Sequence, residues 1–133
     1  MVSRNVVGPD EIGPLMANGA VPAEHRALWG LMWQSGLRVA DALSVDVRDV
    51  DFEDGTVTVP QPVRDRGPVS APVSEEAATL LRKVVGERKE GPLLVNSAGR
   101  ALSREAAIRW ARAVGHGIHD FRPQPHVFES AEA

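Results

Sequence analysis

Apolar residues recur at helical spacing in five stretches of the chain and alternate with polar ones in a sixth. Ile12, Leu15 and Met16 fall at i, i+3 and i+4 behind Gly8-Pro9-Asp10-Glu11, whose acids suit the first turn of a helix. Asn18-Gly19 ends that helix, and a second is predicted over residues 23–34. There Leu28, Leu31 and Met32 face inward, with Trp29 and Trp33 widening the apolar surface. Ser35-Gly36 breaks it, because glycine accepts the positive φ that ends a helix. A third helix starts at once, with Arg38 in its first turn and Val39, Ala42 and Leu43 buried. Ser74, followed by Glu75 and Glu76, caps a fourth, whose stripe is Ala77, Leu80, Leu81 and Val84 and whose stop is Gly86. Ser103 caps a fifth, running to Val114, with Ala107, Ile108, Ala111 and Val114 inward and Arg104, Arg109 and Arg112 outward. Gly115-His116-Gly117 breaks it.

Between these helices, Val45 to Phe52 alternates, Glu53-Asp54-Gly55 turns, and Thr56-Val57-Thr58-Val59 is β-branched throughout, which predicts a β-hairpin. Pro60 and Pro62 cannot donate ladder hydrogen bonds, so the strand is irregular or at an edge there. Val69–Val73 fits a third strand, and Gly91–Val95 a short buried segment before a turn at Asn96–Arg100. No internal repeat or linker interrupts the order.

Composition narrows the class. A chain of 133 residues makes one domain, and 43% apolar with 25% charged residues is ordinary for a globular protein. Without cysteine there is neither a disulfide framework nor a thiolate metal site. No apolar stretch nears the ~20 residues of a membrane span. The N-terminus lacks a signal-peptide pattern, so a cytoplasmic location is expected. The net charge of -3 argues against strong nonspecific binding to polyanions. The charge is uneven, however. Residues 1–60 carry nine acids and four bases, residues 61–133 nine acids and eleven bases. The second half holds Arg100, Arg104, Arg109, Arg112 and Arg122 against Glu105 and Asp120, and a basic face is expected there.

The stretch Ser35-Gly36-Leu37-Arg38-Val39-Ala40-Asp41-Ala42-Leu43 is the chemically unusual one. A fixed cation near a helix N-terminus is locally unfavourable, because that end is already partly positive. One reading is a surface arginine paired with Asp41 at i,i+3. The other is a functional cation, and two further stretches favour it: the hairpin Asp49–Val57, and His119-Asp120-Phe121-Arg122 near the end. In this order the three resemble the catalytic domain of the tyrosine recombinases, the phage-integrase family. The likeness runs from about Val6 to Arg122. The first stretch is similar to the family's first arginine box, the hairpin stands where its small sheet lies, and the last matches its His-x-x-Arg box.

The resemblance implies an α+β fold, mainly helical, with helices packed around a small three-stranded antiparallel β-sheet. It implies a single catalytic-domain-like unit over residues 1–133, with its core at 6–122 and a divergent tail at 123–133. It also implies a partner, DNA, and no cofactor. A phosphodiester under attack gains negative charge, and two guanidiniums can clamp its non-bridging oxygens with bidentate, charge-assisted bonds. By resemblance these are Arg38 and Arg122. His119 would bind the same phosphate or assist proton transfer. The family's hairpin lysine, which protonates the leaving oxygen, corresponds here to Arg64, with Arg66 as the neighbouring choice; an arginine holds its proton too tightly to be a good acid. Arg66, Arg100, Arg104, Arg109 and Arg112 are expected to contact DNA.

The departures from the family pattern limit what these residues do. The family's nucleophile is a tyrosine beyond the His-x-x-Arg box, yet the sequence stops eleven residues after Arg122 and contains no tyrosine. Pro123 and Pro125 remove backbone donors from the helix that normally follows. The family's N-terminal core-binding domain is also missing from the sequence. The expectation is therefore a recombinase-like DNA-binding domain that does not cleave DNA by itself and serves an accessory or regulatory role in recombination or integration. The alternative is a recombinase fold kept as a protein–protein interaction module, a dimer or a partner-binder, without DNA binding. Two variants are weaker: a tyrosine supplied in trans by a full-length recombinase, and Ser130 as nucleophile, which has no activating base beside it. His116, His119 and His126, with Asp120, match no standard zinc spacing, so no metal is expected.

Overall fold

A computed structural model describes residues 6–63 and 67–122. The first two helices are α1, Pro9–Met16, and α2, Ala23–Gln34. Proline at the start of α1 costs nothing, since the first N–H groups of a helix have no internal partner. Asp10 and Glu11 complement the positive end, and Glu11 Oε1 accepts the Gly8 N–H at 3.1 Å. The α1–α2 corner is tied by Arg26, which donates to the carbonyls of Val21 and Met16 at 2.9 and 3.1 Å. Helix α2 is buried nearly all round, from His25 through Met32, so it forms the axis on which the other helices pack. Gly30 lets them approach: a Cβ there would lie 2.8 Å from Met16 Cε of α1 and 3.1 Å from Ala77 Cβ of the fourth helix.

The third helix, α3, is Val39–Ser44. Arg38 is not in its first turn but is its N-cap, with extended φ and ψ of -71° and 155°. The buried face is also shifted from expectation: Val39, Asp41 and Ala42 are buried and Leu43 only half-buried.

The three-stranded antiparallel sheet is β1, Val50–Asp51, β2, Thr56–Val59, and β3, Val69–Pro72, in that order. The registers pair Val50 with Val57 and Val59 with Val69. Val57, Val59 and Ala71 point into the core. Gly55 makes the β1–β2 turn at φ +71°, its N–H donating to Asp51 O at 2.8 Å. The first strand is much shorter than the alternation of Val45–Phe52 predicts, because Val47–Asp49 is a 3-10 turn. Asp46 accepts the Arg48 N–H at 2.9 Å, and Asp49 accepts the Asp46 N–H at 3.0 Å. Short aspartate side chains have taken backbone donors that a ladder would need.

Helix α4 is Glu75–Val85, capped by Ser74 Oγ on the Ala77 N–H at 3.1 Å and ended by Gly86 at φ +60°. Its buried stripe is Ala77, Leu80, Leu81 and Val85; Val84 is only half-buried, so the predicted stripe is one residue out at its end. Leu93, Leu94 and Val95 follow as a buried segment; Pro92 just before it bridges to Asp46, and Val95 bridges to Ala101. Helix α5, Arg104–Ala113, is capped by Ser103 Oγ on the Ala106 N–H, and a second 3-10 turn covers Ile118–Phe121. One core joins all these elements, from Val7 to Phe121. At its centre Trp29 and Phe121, both fully buried, stack 4.6 Å apart at 7°. Burying an aromatic of this size removes about 150–250 Å² from water, so this pair anchors the last described turn to the middle of α2. Among the described residues no helix is long and apolar enough to cross a membrane.

Candidate nucleic-acid interface

Arg38 owes its position to the break that precedes it. Gly36 adopts φ +76°, which reverses the chain between α2 and α3. The turn is fastened from three directions. Ser35 Oγ donates to Pro72 O of β3 at 2.6 Å, and the Leu37 N–H donates to Leu31 O at 3.2 Å. The third fastening comes from the far end of the described chain, where Arg122 Nε donates to Gly36 O at 3.1 Å. The His-x-x-Arg segment thus lies against the carbonyl two residues before Arg38, although 86 positions separate Arg122 from Gly36. Both arginines are half-buried, and each has further interactions.

The second box is rigid for reasons visible in the packing. Phe121 stacks under Trp29, Val7 N–H donates to Asp120 O at 2.8 Å, and Arg122 N–H donates to His119 O at 3.3 Å. Asp120 Oδ2 accepts the Gly117 N–H at 2.8 Å, closing the start of the turn. His119 is exposed on this turn, and among the described residues its ring makes no hydrogen bond. On α3, buried Asp41 accepts the Val63 N–H at 3.0 Å, which holds the segment leaving the sheet against the helix that begins at Arg38.

Of the arginines expected to touch DNA, Arg104, Arg109 and Arg112 are exposed on α5, and Arg100 is exposed in the turn before it. That turn is built by Asn96, whose Oδ1 accepts from the N–H groups of Ala98 and Arg100. Helix α5 packs beside α3 and the Ile118–Phe121 turn. Arg64 and Arg66 lie outside the described residues, as does His126. Among the described residues no cluster of three or more His, Asp or Glu is arranged to hold a metal ion.

Two histidines have roles that the sequence reading did not assign. His25, 2% exposed on α2, has no partner for Nδ1 among the described residues and lies 5.7 Å from the Trp110 ring. Burial, and then the nearby Arg109 cation, lower its pKa from 6.5 to about 4. Its signal was available, since His25, Leu28, Trp29 and Met32 fall at i, i+3, i+4 and i+7 and share one apolar face. His116 sits between two carboxylates, Glu11 Oε2 at 3.5 Å and Asp120 Oδ2 at 3.4 Å. Its i,i+4 spacing to Asp120 was legible; its meeting with Glu11 was not.

Fold and boxes together define an integrase-type catalytic-domain architecture. Residues 5–130 match the Phage integrase family, and the chain belongs to it. It is 30% identical over 121 residues to the tyrosine recombinase XerC of Chromobacterium violaceum, a match covering 84% of this chain and 38% of that protein. The crystal structure of XerA recombinase is similar, with a TM-score of 0.74 at 17% identity, over 98% of this chain and 50% of that one. So is the Tn1549 transposon integrase in complex with transposon right end DNA, with a TM-score of 0.67 at 14% identity, over 92% of this chain and 52% of that one. At those identities the two structural likenesses establish the fold. The chain spans about two fifths to half the length of these relatives.

Proposed function

We propose that these residues form a DNA-binding domain of the integrase type, in which Arg38 and Arg122 grip one backbone phosphate and His119 supports it. The observation that carries this reading is the bond from Arg122 Nε to Gly36 O, which draws two boxes from opposite ends of the sequence into one place. A phosphate there would meet two guanidiniums on an anchored backbone, and preorganised charge costs little to use when the anion arrives. Arg100, Arg104, Arg109 and Arg112, with Arg64 and Arg66, would extend the contact along the duplex. Such contacts position a protein on DNA without reading its sequence. The Tn1549 integrase, which shares the fold, is seen with transposon right end DNA, and this supports the choice of partner.

The same reading holds that these 133 residues do not cleave DNA alone, since they contain no tyrosine. Their role would be accessory or regulatory in recombination or integration, beside a recombinase or a second copy. The domain of this reading is one unit with its body at residues 6–122. A test is fluorescence anisotropy of a labelled duplex at low salt. Binding that weakens at least tenfold in Arg38→Ala, about 1.4 kcal/mol, supports the clamp; binding indifferent to Arg38 overturns it.

A second reading, a module that binds protein and not DNA, is favoured by one feature. An apolar groove of about 450 Å³ opens between α1 and α4, lined by Ile12, Met16 and Leu80 among others. The net charge of -3 agrees with it. Absence of DNA binding together with self-association in sedimentation would decide for this reading.

A further inference from the structure

We propose that Asn18 is a site of spontaneous covalent modification: the Asn18-Gly19 turn between α1 and α2 converts it, through a cyclic imide, to aspartate and isoaspartate. The co-reactant is water, and the inference is independent of the DNA-binding reading.

Three features meet at this turn. The nucleophile is the Gly19 backbone nitrogen, whose N–H makes no hydrogen bond among the described residues. Gly19 is exposed, and a Cβ added to it would meet nothing within 4 Å, so the peptide is open to a base from solvent. The electrophile is the Asn18 side-chain carbonyl. Its Oδ1 reaches past Gly19 to accept the Ala20 N–H at 3.0 Å, so Cγ and the Gly19 nitrogen belong to one hydrogen-bonded ring. The turn is held from both ends, by the Asn18 N–H on Leu15 O at 3.3 Å and the Val21 N–H on Asn18 O at 3.1 Å. The leaving group is Nδ2, which makes no hydrogen bond among the described residues and is not restrained.

In the reaction a base from solvent takes the Gly19 N–H proton, the nitrogen bonds Cγ, and negative charge gathers on Oδ1. The Ala20 N–H already points at that oxygen, and a donor in place stabilises the charge without reorganisation. This bond need not break, because Oδ1 stays as a carbonyl of the imide. The Cγ–Nδ2 bond then breaks, and the nitrogen takes a proton and leaves as ammonia. Water adds to either imide carbonyl: opening at Cγ gives aspartate, and opening at the former backbone carbonyl gives isoaspartate. Both place a carboxylate just past the C-terminal end of α1, where the helix dipole is negative. Isoaspartate also routes the chain through the side chain, so the bond from the Val21 N–H to the Asn18 carbonyl is lost. Arg26, on the carbonyls of Val21 and Met16, remains as the tie at that corner. Asn96 is the comparison within the molecule. It is exposed, and its Oδ1 accepts two N–H groups at 2.9 and 3.1 Å, but Ser97 follows it, whose side chain crowds the nitrogen.

The test holds the 133-residue chain at mildly alkaline pH, folded and unfolded in guanidinium chloride, and follows each asparagine by peptide mapping in a mass spectrometer. Asn18 should gain the mass of an amide turned to a carboxyl, at least as fast in the folded protein as in the unfolded chain, because the turn holds the reacting atoms together. Isoaspartyl methyltransferase should label the product. Asn96 of the folded protein should react about tenfold more slowly or less. Gly19→Ala should fold normally, since its Cβ meets nothing within 4 Å and the φ is not positive. It should slow conversion of Asn18 about tenfold, which is about 1.4 kcal/mol in the barrier. Slower conversion of Asn18 in the folded protein than in the unfolded chain overturns the proposal. So does an Asn96 that converts as fast as Asn18, or a Gly19→Ala variant that converts as fast as the wild type.

Discussion

The burial of His25 makes the fold sensitive to acid in a predictable way. In the folded protein the ring is 2% exposed, lacks a partner for Nδ1 among the described residues and lies near Arg109, and its pKa falls from 6.5 to about 4. An unfolded chain binds the proton at the ordinary value, so between these limits unfolding takes up a proton that the native state refuses. The stability associated with the neutral ring is fully present above about pH 6.5, declines as the pH falls, and is gone below about pH 4. Each pH unit of separation corresponds to about 1.4 kcal/mol, so the whole effect is at most about 3 kcal/mol, and about 2 kcal/mol is lost by pH 5. Domains of this size are stable by about 5–15 kcal/mol, so the loss is a substantial share. The perturbation is His25→Phe, which keeps a ring of similar size beside Trp110 and removes the titration. Urea unfolding at pH 7 and pH 5 measures both proteins. Carboxylate titration is common to the two, so the wild type should lose about 2 kcal/mol more than the variant over that interval. Equal losses would refute the argument.

The packing at Gly30 and the cap at Ser74 each give a further test. Gly30→Ala gains about 1 kcal/mol of helix propensity against its crowding by Met16 Cε and Ala77 Cβ, so it should change stability little. Gly30→Leu has no such relief at 2.8 and 3.1 Å and should cost about 1–3 kcal/mol in denaturant unfolding. Ser74→Ala removes the acceptor for the Ala77 N–H and the donor to Gln34, and should lower stability by about 1 kcal/mol, seen as a fall in Tm.

Much of the fold was legible because its signals are local. The caps at Ser74 and Ser103, the breaks at Gly36 and Gly86, and the 3.6-residue periodicity place α2, α4 and α5 within a residue of the observed ends. The misreadings come from competition that a pattern does not show. Alternation over Val45–Phe52 reads as a strand, but the aspartates at 46 and 49 bond their own backbone and leave only Val50–Asp51 in the ladder. Arg38 falls one residue outside its helix because the reversal at Gly36 uses the residues up to it. The two boxes were recognisable only by resemblance, since no periodicity links Gly36 to Arg122. The contact between Glu11 and His116 likewise depends on how α1 folds back over the last turn, a tertiary fact with no trace in local sequence.

The central claim is that Arg38 and Arg122 act as one phosphate clamp. The direct measurement is the salt dependence of duplex binding by anisotropy, from ~20 to ~200 mM, for the wild type and Arg38→Ala/Arg122→Ala. Each phosphate contact removed lowers the slope of log K against log salt by about one. Two guanidiniums on a single phosphate should lower it by about one rather than two, with a loss of affinity at every salt concentration. An unchanged slope and affinity in the double variant would contradict the clamp.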